Sequence, residues 1–200
     1  MRVPLFPLRT VLYPGGPLPL RIFEPRYIDM ISTCMKADSL FGVLLIREGS
    51  ETGPATTHSV GTLARIDDWY QGSDGLLGIT AIGEDRFQLL ESERQASGLN
   101  LGEIELLSAE PVEELPDDYK PLANILAGVL DDLGKLYQSL EKKYDDAGWV
   151  AYRFAEILPI SPEQKQSCLE IEDPLQRLRM MREVLKSVRG PEGAEFAGFG

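Results

Sequence analysis

The sequence predicts an α+β chain in which a mostly antiparallel β half, carrying one short helix, precedes an α-helical half. Three observations lead there. Through 60–110, strand-like runs alternate with turn signals at short spacing, as in a meander closing into a barrel or a sandwich. Residues 103–118 hold seven acids, Pro111 and Pro116 but no Lys or Arg, and there the apolar period passes from two to about 3.6. Beyond them Leu122, Leu126, Val129, Leu133, Leu136 and Leu140 step by 4, 3, 4, 3 and 4, the seam of a helix packed on other helices. We therefore divide the chain into a β domain over 1–114 and a helical domain over 115–189. A disordered tail follows over 190–200, where four glycines and no period appear.

The opening "PLFPLRTVLYPGGPLPLRIFEPRY" carries six prolines among alternating Leu, Val, Ile and Phe. Proline is excluded from helix interiors and central ladder positions, so short strands are expected over 3–6 and 18–23, with a turn at 13–16. Leu18, Leu20 and Ile22 fall on one strand face. Pro25 suits the first turn of a helix that runs to Lys36, with Ile28, Ile31 and Met35 recurring at +3 and +4. "LFGVLLIRE" (40–48) reads as a strand buried on both faces, and 49–58 as a polar loop. Then come "VGTLARIDDWYQ", the turn 72–75, "LLGITAIG", "DRFQLLES" and "NLGEIELLSAE". In the last of these the buried parity changes at Gly102, a natural place for a bulge.

In the helical half Gly128 and Gly134 weaken the 122–140 helix, so packing must supply most of its stability. "GWVAYRFAEILPI" (148–160) is apolar almost all round and should be the central, buried helix. Ser161-Pro162-Glu163-Gln164 and Asp173-Pro174-Leu175-Gln176 each offer an N-cap oxygen, a proline at the first helical position and Gln at the third. The last helix turns Leu175, Leu178, Met181, Leu185 and Val188 inward, with Arg177, Arg179, Arg182, Lys186 and Arg189 mostly outward.

Composition narrows the function. The 200 residues, 43% hydrophobic and 26% charged, are ordinary for a globular protein and contain no run near the roughly 20 apolar residues of a membrane span. Net charge is −12; residues 1–26 carry four Arg against Glu24, so the remainder carries −15. Such an acidic chain is not expected to bind nucleic acid, which draws its affinity from clustered Lys and Arg. Cys34 and Cys168 are the only cysteines, which suits a reducing, cytoplasmic setting and two small buried residues.

The order "PLFPLRTVLYPGGPLPLRIFEPRY", "LFGVLL", "VGTLARI", "GLLGITAIGEDRFQL" and "FAEILPISPEQKQSCLEIEDPLQRLRMM" resembles the N-terminal, substrate-binding domain of the ATP-dependent protease Lon and its stand-alone relatives, over 3–189. The resemblance implies a PUA-like β-barrel followed by a helical bundle, and the binding of other polypeptides. Lon's ATPase and Ser-Lys protease modules lie beyond this region. The only Gly-Lys pair here, Gly134-Lys135, is followed by Leu136 and forms no G-x-x-x-x-G-K-[ST] loop, so a non-enzymatic binding protein without cofactor is expected.

The residues agree. His58, the only histidine, lies in a polar loop, and neither a metal site nor a histidine-supported nucleophile can be assembled around it. The pairs Asp67-Asp68, Asp131-Asp132 and Asp145-Asp146 lack a D-x-D-x-D-G loop and read as solvated faces or helix ends. For peptide binding, the candidates are Arg9, Tyr13, Arg21, Phe23 and Tyr27 around the Pro-rich connection, and Trp69 and Tyr70 beside the 72–75 turn. An apolar groove rimmed by Arg suits extended peptide, and strand edges offer main-chain pairing. Packing within the barrel explains the same aromatics. The expected partner is unfolded or extended polypeptide, or one specific client, with no nucleic acid or membrane; oligomeric state is not encoded in these patterns. The alternative is a structural module that docks onto one complex through the acidic 103–118 segment or the basic last helix. A carboxylate hydrolase is the weakest reading.

Overall fold

The Pro-rich opening folds as two strands, since proline's fixed φ suits extended backbone and its missing N–H does no harm on an unpaired edge. The computed structural model describes residues 1–189, with β1 over Arg2–Leu8 and β2 over Pro17–Ile22. Helix α1 (Pro25–Ala37) starts on its proline and ends at Asp38, whose φ of 49° stops the helix in the left-handed region. The strands β3 (Phe41–Gly49), β4 (Ala55–Thr57), β5 (Val60–Gln71), β6 (Leu77–Arg94) and β7 (Asn100–Leu106) follow. The expected loop over 49–58 thus contains a short strand.

Two runs expected as separate strands are one strand of 18 residues, β6. Gly83 at their junction does not break it, because the site of its absent side chain admits the carbonyl of Tyr13. Gly83 N–H donates to Gly16 O (2.9 Å) and its own carbonyl accepts from Gly15 N (2.7 Å). The bulge anticipated at Gly102 lies on the partner strand, at Leu90, where the register of β6 against β7 shifts between Leu89 and Glu91. Gly102 instead leaves room for Leu5 and Leu89, whose methyls would lie 2.8 Å from an added Cβ.

Antiparallel pairs β1–β7, β7–β6, β6–β5 and β5–β3, with the parallel pair β1–β3, close the sheet on itself. Val3, Leu5, Leu44, Leu63, Phe87 and Ile104 form one buried cluster inside it. Strand β2 joins β6 over 77–82, on the same edge that β7 occupies over 87–94. Below that three-stranded extension α1 buries Tyr27, Met30, Ile31 and Cys34 against Phe6, Ile22, Ile79 and Ala81.

The helical half comprises a 3-10 turn (Asp117–Tyr119), α2 (Lys120–Asp132), α3 (Lys135–Gln138), α4 (Ala147–Ile157), α5 (Pro162–Glu170) and α6 (Pro174–Arg189). The 122–140 seam is not one helix. Gly134, at φ 62°, breaks it after α2, and Leu133 is left half-exposed. As expected, α4 is central: every residue from Ala147 to Ala155 is buried, and Asp146 caps its first N–H groups. Ser161 and Gln164 form the anticipated capping box, and Asp173 accepts from Leu175 N at 2.9 Å.

The helices share their core with Leu45 of β3 and with Val11 and Tyr13 of the connection between β1 and β2. Polar contacts fix the seat. Arg153 on α4 donates to Gly15 O (2.6 Å) and Pro14 O (3.0 Å), and Gln166 on α5 to Val60 O (2.9 Å). No helix among the described residues is long and apolar enough to cross a membrane. The tail expected over 190–200 lies outside the described residues.

Candidate functional site

Along β1 the side chains of Phe6 and Leu8 share one face, and along β2 so do Leu18, Leu20 and Ile22, because successive strand side chains alternate. These two rows meet Tyr27 of α1, whose ring stacks on Phe6 with centroids 3.9 Å apart. Yet β1 and β2 are not paired with each other among the described residues. The gap between them is a groove of about 220 Å³, floored by Phe6, Leu8, Leu18, Leu20 and Tyr27, with Phe23 at its mouth.

Phe23 is 57% exposed, whereas the surrounding large apolar residues are mostly covered. It stands at the position before the N-cap of α1 and Ile28 at the fourth helical position, the pair whose contact fixes a helix's entry angle. Exposure beyond that architectural role leaves an aromatic surface for a partner.

The charged groups at the rim already have partners within the chain. Arg21 pairs with Asp74 of the 72–75 turn, and Glu24 with Arg26 at 2.9 Å. Glu51 accepts from Arg9 N (2.7 Å), while the Arg9 guanidinium donates to Gly49 O (2.6 Å). The Arg26 guanidinium lies 4.6 Å from the Tyr27 ring centre and donates to Gly98 O (2.8 Å) and Glu51 O (3.0 Å). Burial pushes the Tyr27 phenol up, so it stays neutral. An apolar cleft whose rim charges are spent internally suits uncharged, bulky side chains.

The structure thus gathers Arg21, Phe23 and Tyr27 about one groove, whereas Arg9 meets it only through its backbone N–H on Glu51. Tyr27 is buried in its floor, at 3% exposure, and Phe23 alone of the candidate aromatics stands open there. Tyr13 is sealed in the core, its hydroxyl donating to Lys165 O at 2.8 Å and its ring 5.3 Å from that of Tyr152. It offers no surface. Tyr70 is half-exposed because its ring lies over Gly78 of the neighbouring strand, where no side chain competes. Trp69 lines a second concavity at the C-terminal end of α1, with Met35, Ile66 and Leu40. The leucines of the groove were legible only as strand residues; that they line a groove depends on β1 and β2 remaining apart, which no spacing reveals.

Charged groups expected on partner surfaces meet one another. Arg177 is fully buried and not outward, and it binds Glu110 through two bonds of 2.9 and 2.6 Å. Arg86 joins the same carboxylate at 3.1 Å, and the Tyr152 hydroxyl donates to it. Arg182 pairs with Asp118 at 3.1 Å. The acidic segment and the last helix are partly spent on each other. Burial also raises both thiols, Cys168 to about 11, which makes them poor nucleophiles. Among the described residues no group of three or more His, Cys, Asp or Glu is placed to hold a metal ion.

The family model described as "ATP-dependent protease La (LON) substrate-binding domain" matches residues 2–187. Lon protease 2 of Myxococcus xanthus is 27% identical over 195 residues, covering 94% of this chain and 24% of that protein. Protein cereblon of Xenopus tropicalis is 30% identical over 110 residues, 53% of this chain and 24% of that protein. The chain therefore spans about a quarter of the length of these relatives. The crystal structure of a Lon N-terminal domain protein from Xanthomonas campestris is 35% identical, with a TM-score of 0.75 over 92% of this chain and 98% of that one. The N-terminal domain of Mycobacterium avium complex Lon protease, 18% identical with a TM-score of 0.64, has the same fold.

Proposed function

The chain belongs to the Lon substrate-binding domain family, and on that premise we propose that it binds extended or unfolded polypeptide in the groove between β1, β2 and α1. Its role is that of a non-enzymatic adaptor or chaperone-like factor in the cytoplasm, built as a PUA-like β-barrel over 1–114 that carries a helical bundle over 115–189. The observation that carries the reading is Phe23, more than half exposed at the mouth of an apolar cleft whose rim charges are already paired. Burying such surface is the main source of affinity for an apolar segment. The Trp69 concavity at the C-terminal end of α1 gives a longer segment a second foothold. Docking onto one complex through 103–118 or the last helix is the less favoured reading, because Glu110, Arg177, Asp118 and Arg182 serve internal pairs.

The test is a fluorescence-anisotropy titration against a reduced, carboxymethylated model protein at low and high salt. Saturable binding that survives salt is expected. No binding up to high micromolar concentration removes the reading and leaves docking to a single partner.

A further inference from the structure

We propose that the occupant of this groove is recognised through bulky apolar side chains and not through strand pairing, because prolines strip the groove's edges of N–H donors. This rests on the polypeptide-binding reading above.

The two strands that flank the groove each have a free edge beside it. Strand β1 pairs with β3 over 5–8, but with β7 on its other side only over 2–5, so the edge beside 6–8 is open. Strand β2 pairs with β6 over 17–22 and has no second partner among the described residues. In a strand the N–H and C=O of one residue point to the same edge, and alternate residues serve opposite edges. A proline within a ladder sits with its nitrogen turned away from the partner, since it has nothing to donate.

Pro17 and Pro19 sit opposite Ile82 and Thr80, and Pro7 opposite Leu44. Their nitrogens therefore turn toward the open edges, where Pro19 lines the groove and Pro7 and Pro17 adjoin its lining residues Phe6, Leu8 and Leu18, and each supplies a carbonyl without the N–H that should accompany it. On β2 the next residue of that parity is Arg21, which retains the one donor on this edge. A peptide strand laid along β2 would find an acceptor at three positions and a donor at one. Its own carbonyls facing Pro17 and Pro19 would go unpaired, and a buried unpaired carbonyl is costly. The same deficit prevents β1 and β2 from zipping together, so the prolines hold the groove open and also bar a strand from filling it.

What is left to grip an occupant is the wall of Phe6, Leu8, Leu18, Leu20 and Phe23. With Arg21 and Glu24 ion-paired and the Glu51 carboxylate accepting from Arg9 N, the charged groups of the groove already have partners, and the segment that fits carries aliphatic or aromatic side chains with no charge among them.

The experiment uses a fluorescein-labelled ten-residue peptide of alternating leucine and serine. Three variants accompany it: one N-methylated at every leucine, one N-methylated at every serine, and one with alanine for leucine. Binding is taken as the part that Phe23→Asp in the protein removes. Both methylated peptides are expected within about threefold of the parent Kd, and the alanine peptide at least about tenfold weaker. A loss of about tenfold or more in either methylated peptide overturns the inference while leaving polypeptide binding intact. Failure of the parent peptide to bind at high micromolar concentration overturns the polypeptide-binding reading of this groove itself.

Discussion

Truncating Phe23 isolates the groove from the fold that carries it. A phenylalanine can bury about 200 Å², and 57% of this one is exposed, so a ligand that covers it completely removes on the order of 110 Å² of apolar surface from water. At about 25 cal/mol per Å² that is ~3 kcal/mol, or about a hundredfold in Kd; half coverage gives about tenfold. Phe23→Ala should therefore weaken binding of a carboxymethylated, unfolded protein by about 10- to 100-fold in an anisotropy titration. The fold should barely notice. Phe23 contributes at most a helix-entry contact with Ile28, so the midpoint of thermal unfolding should fall by no more than about 4 °C, the equivalent of about 1 kcal/mol in a chain of this size. A Kd within about twofold of the wild type, in a variant that melts normally, would place Phe23 outside the binding surface.

Other perturbations read the supporting structure. Glu110→Ala leaves Arg86 and Arg177 buried without their carboxylate, and should cost about 3–5 kcal/mol and about 10 °C of melting temperature; an unchanged melting curve contradicts the ion cluster. Tyr13→Phe removes the bond to Lys165 O and should cost about 1 kcal/mol in urea unfolding while peptide affinity stays constant, so a large loss of affinity would return Tyr13 to the binding surface. Burial holds the Glu156 carboxyl at about 7 in the folded chain, against the ordinary 4.5, although Arg153 beside it acts in the opposite direction. Folding thus favours the neutral form, and this contribution is complete below 4.5 and lost as the pH rises through 7. Relative to Glu156→Gln, the wild type should lose about 2–3 kcal/mol of unfolding free energy between pH 5 and 8.5; a pH-independent difference contradicts the assignment.

What could be read before the structure follows from what is local. Helix starts at Pro25, Ser161 and Asp173 depend on a few neighbouring residues, and all three helices begin there. Strand parity likewise put Leu18, Leu20 and Ile22 on one face. The misreadings are tertiary. Nothing near Gly83 says that a turn 70 residues earlier will clamp it within a continuous strand, and nothing near Arg177 says that Glu110 waits inside. Amphipathic spacing sends a charged residue to solvent by default, and a buried partner overrides the default. The candidate site was legible in the same measure. Phe23 and Trp69 stand exposed, whereas Tyr13 and Tyr27 spend their rings on Tyr152 and Phe6. The prolines of the opening were conspicuous, but their bearing on function emerges only once their strands are seen to lack partners beside the groove.

The most direct test of polypeptide lodging between β1, β2 and α1 is to map backbone amide NMR shifts of the ¹⁵N-labelled chain as a carboxymethylated, unfolded protein is added. The predicted result is a set of perturbed amides confined to Phe6, Leu8, Leu18, Leu20, Arg21, Phe23 and Tyr27, extending at most to Met35 and Trp69. Shifts concentrated in the helical half, or none at saturating ligand, would contradict it.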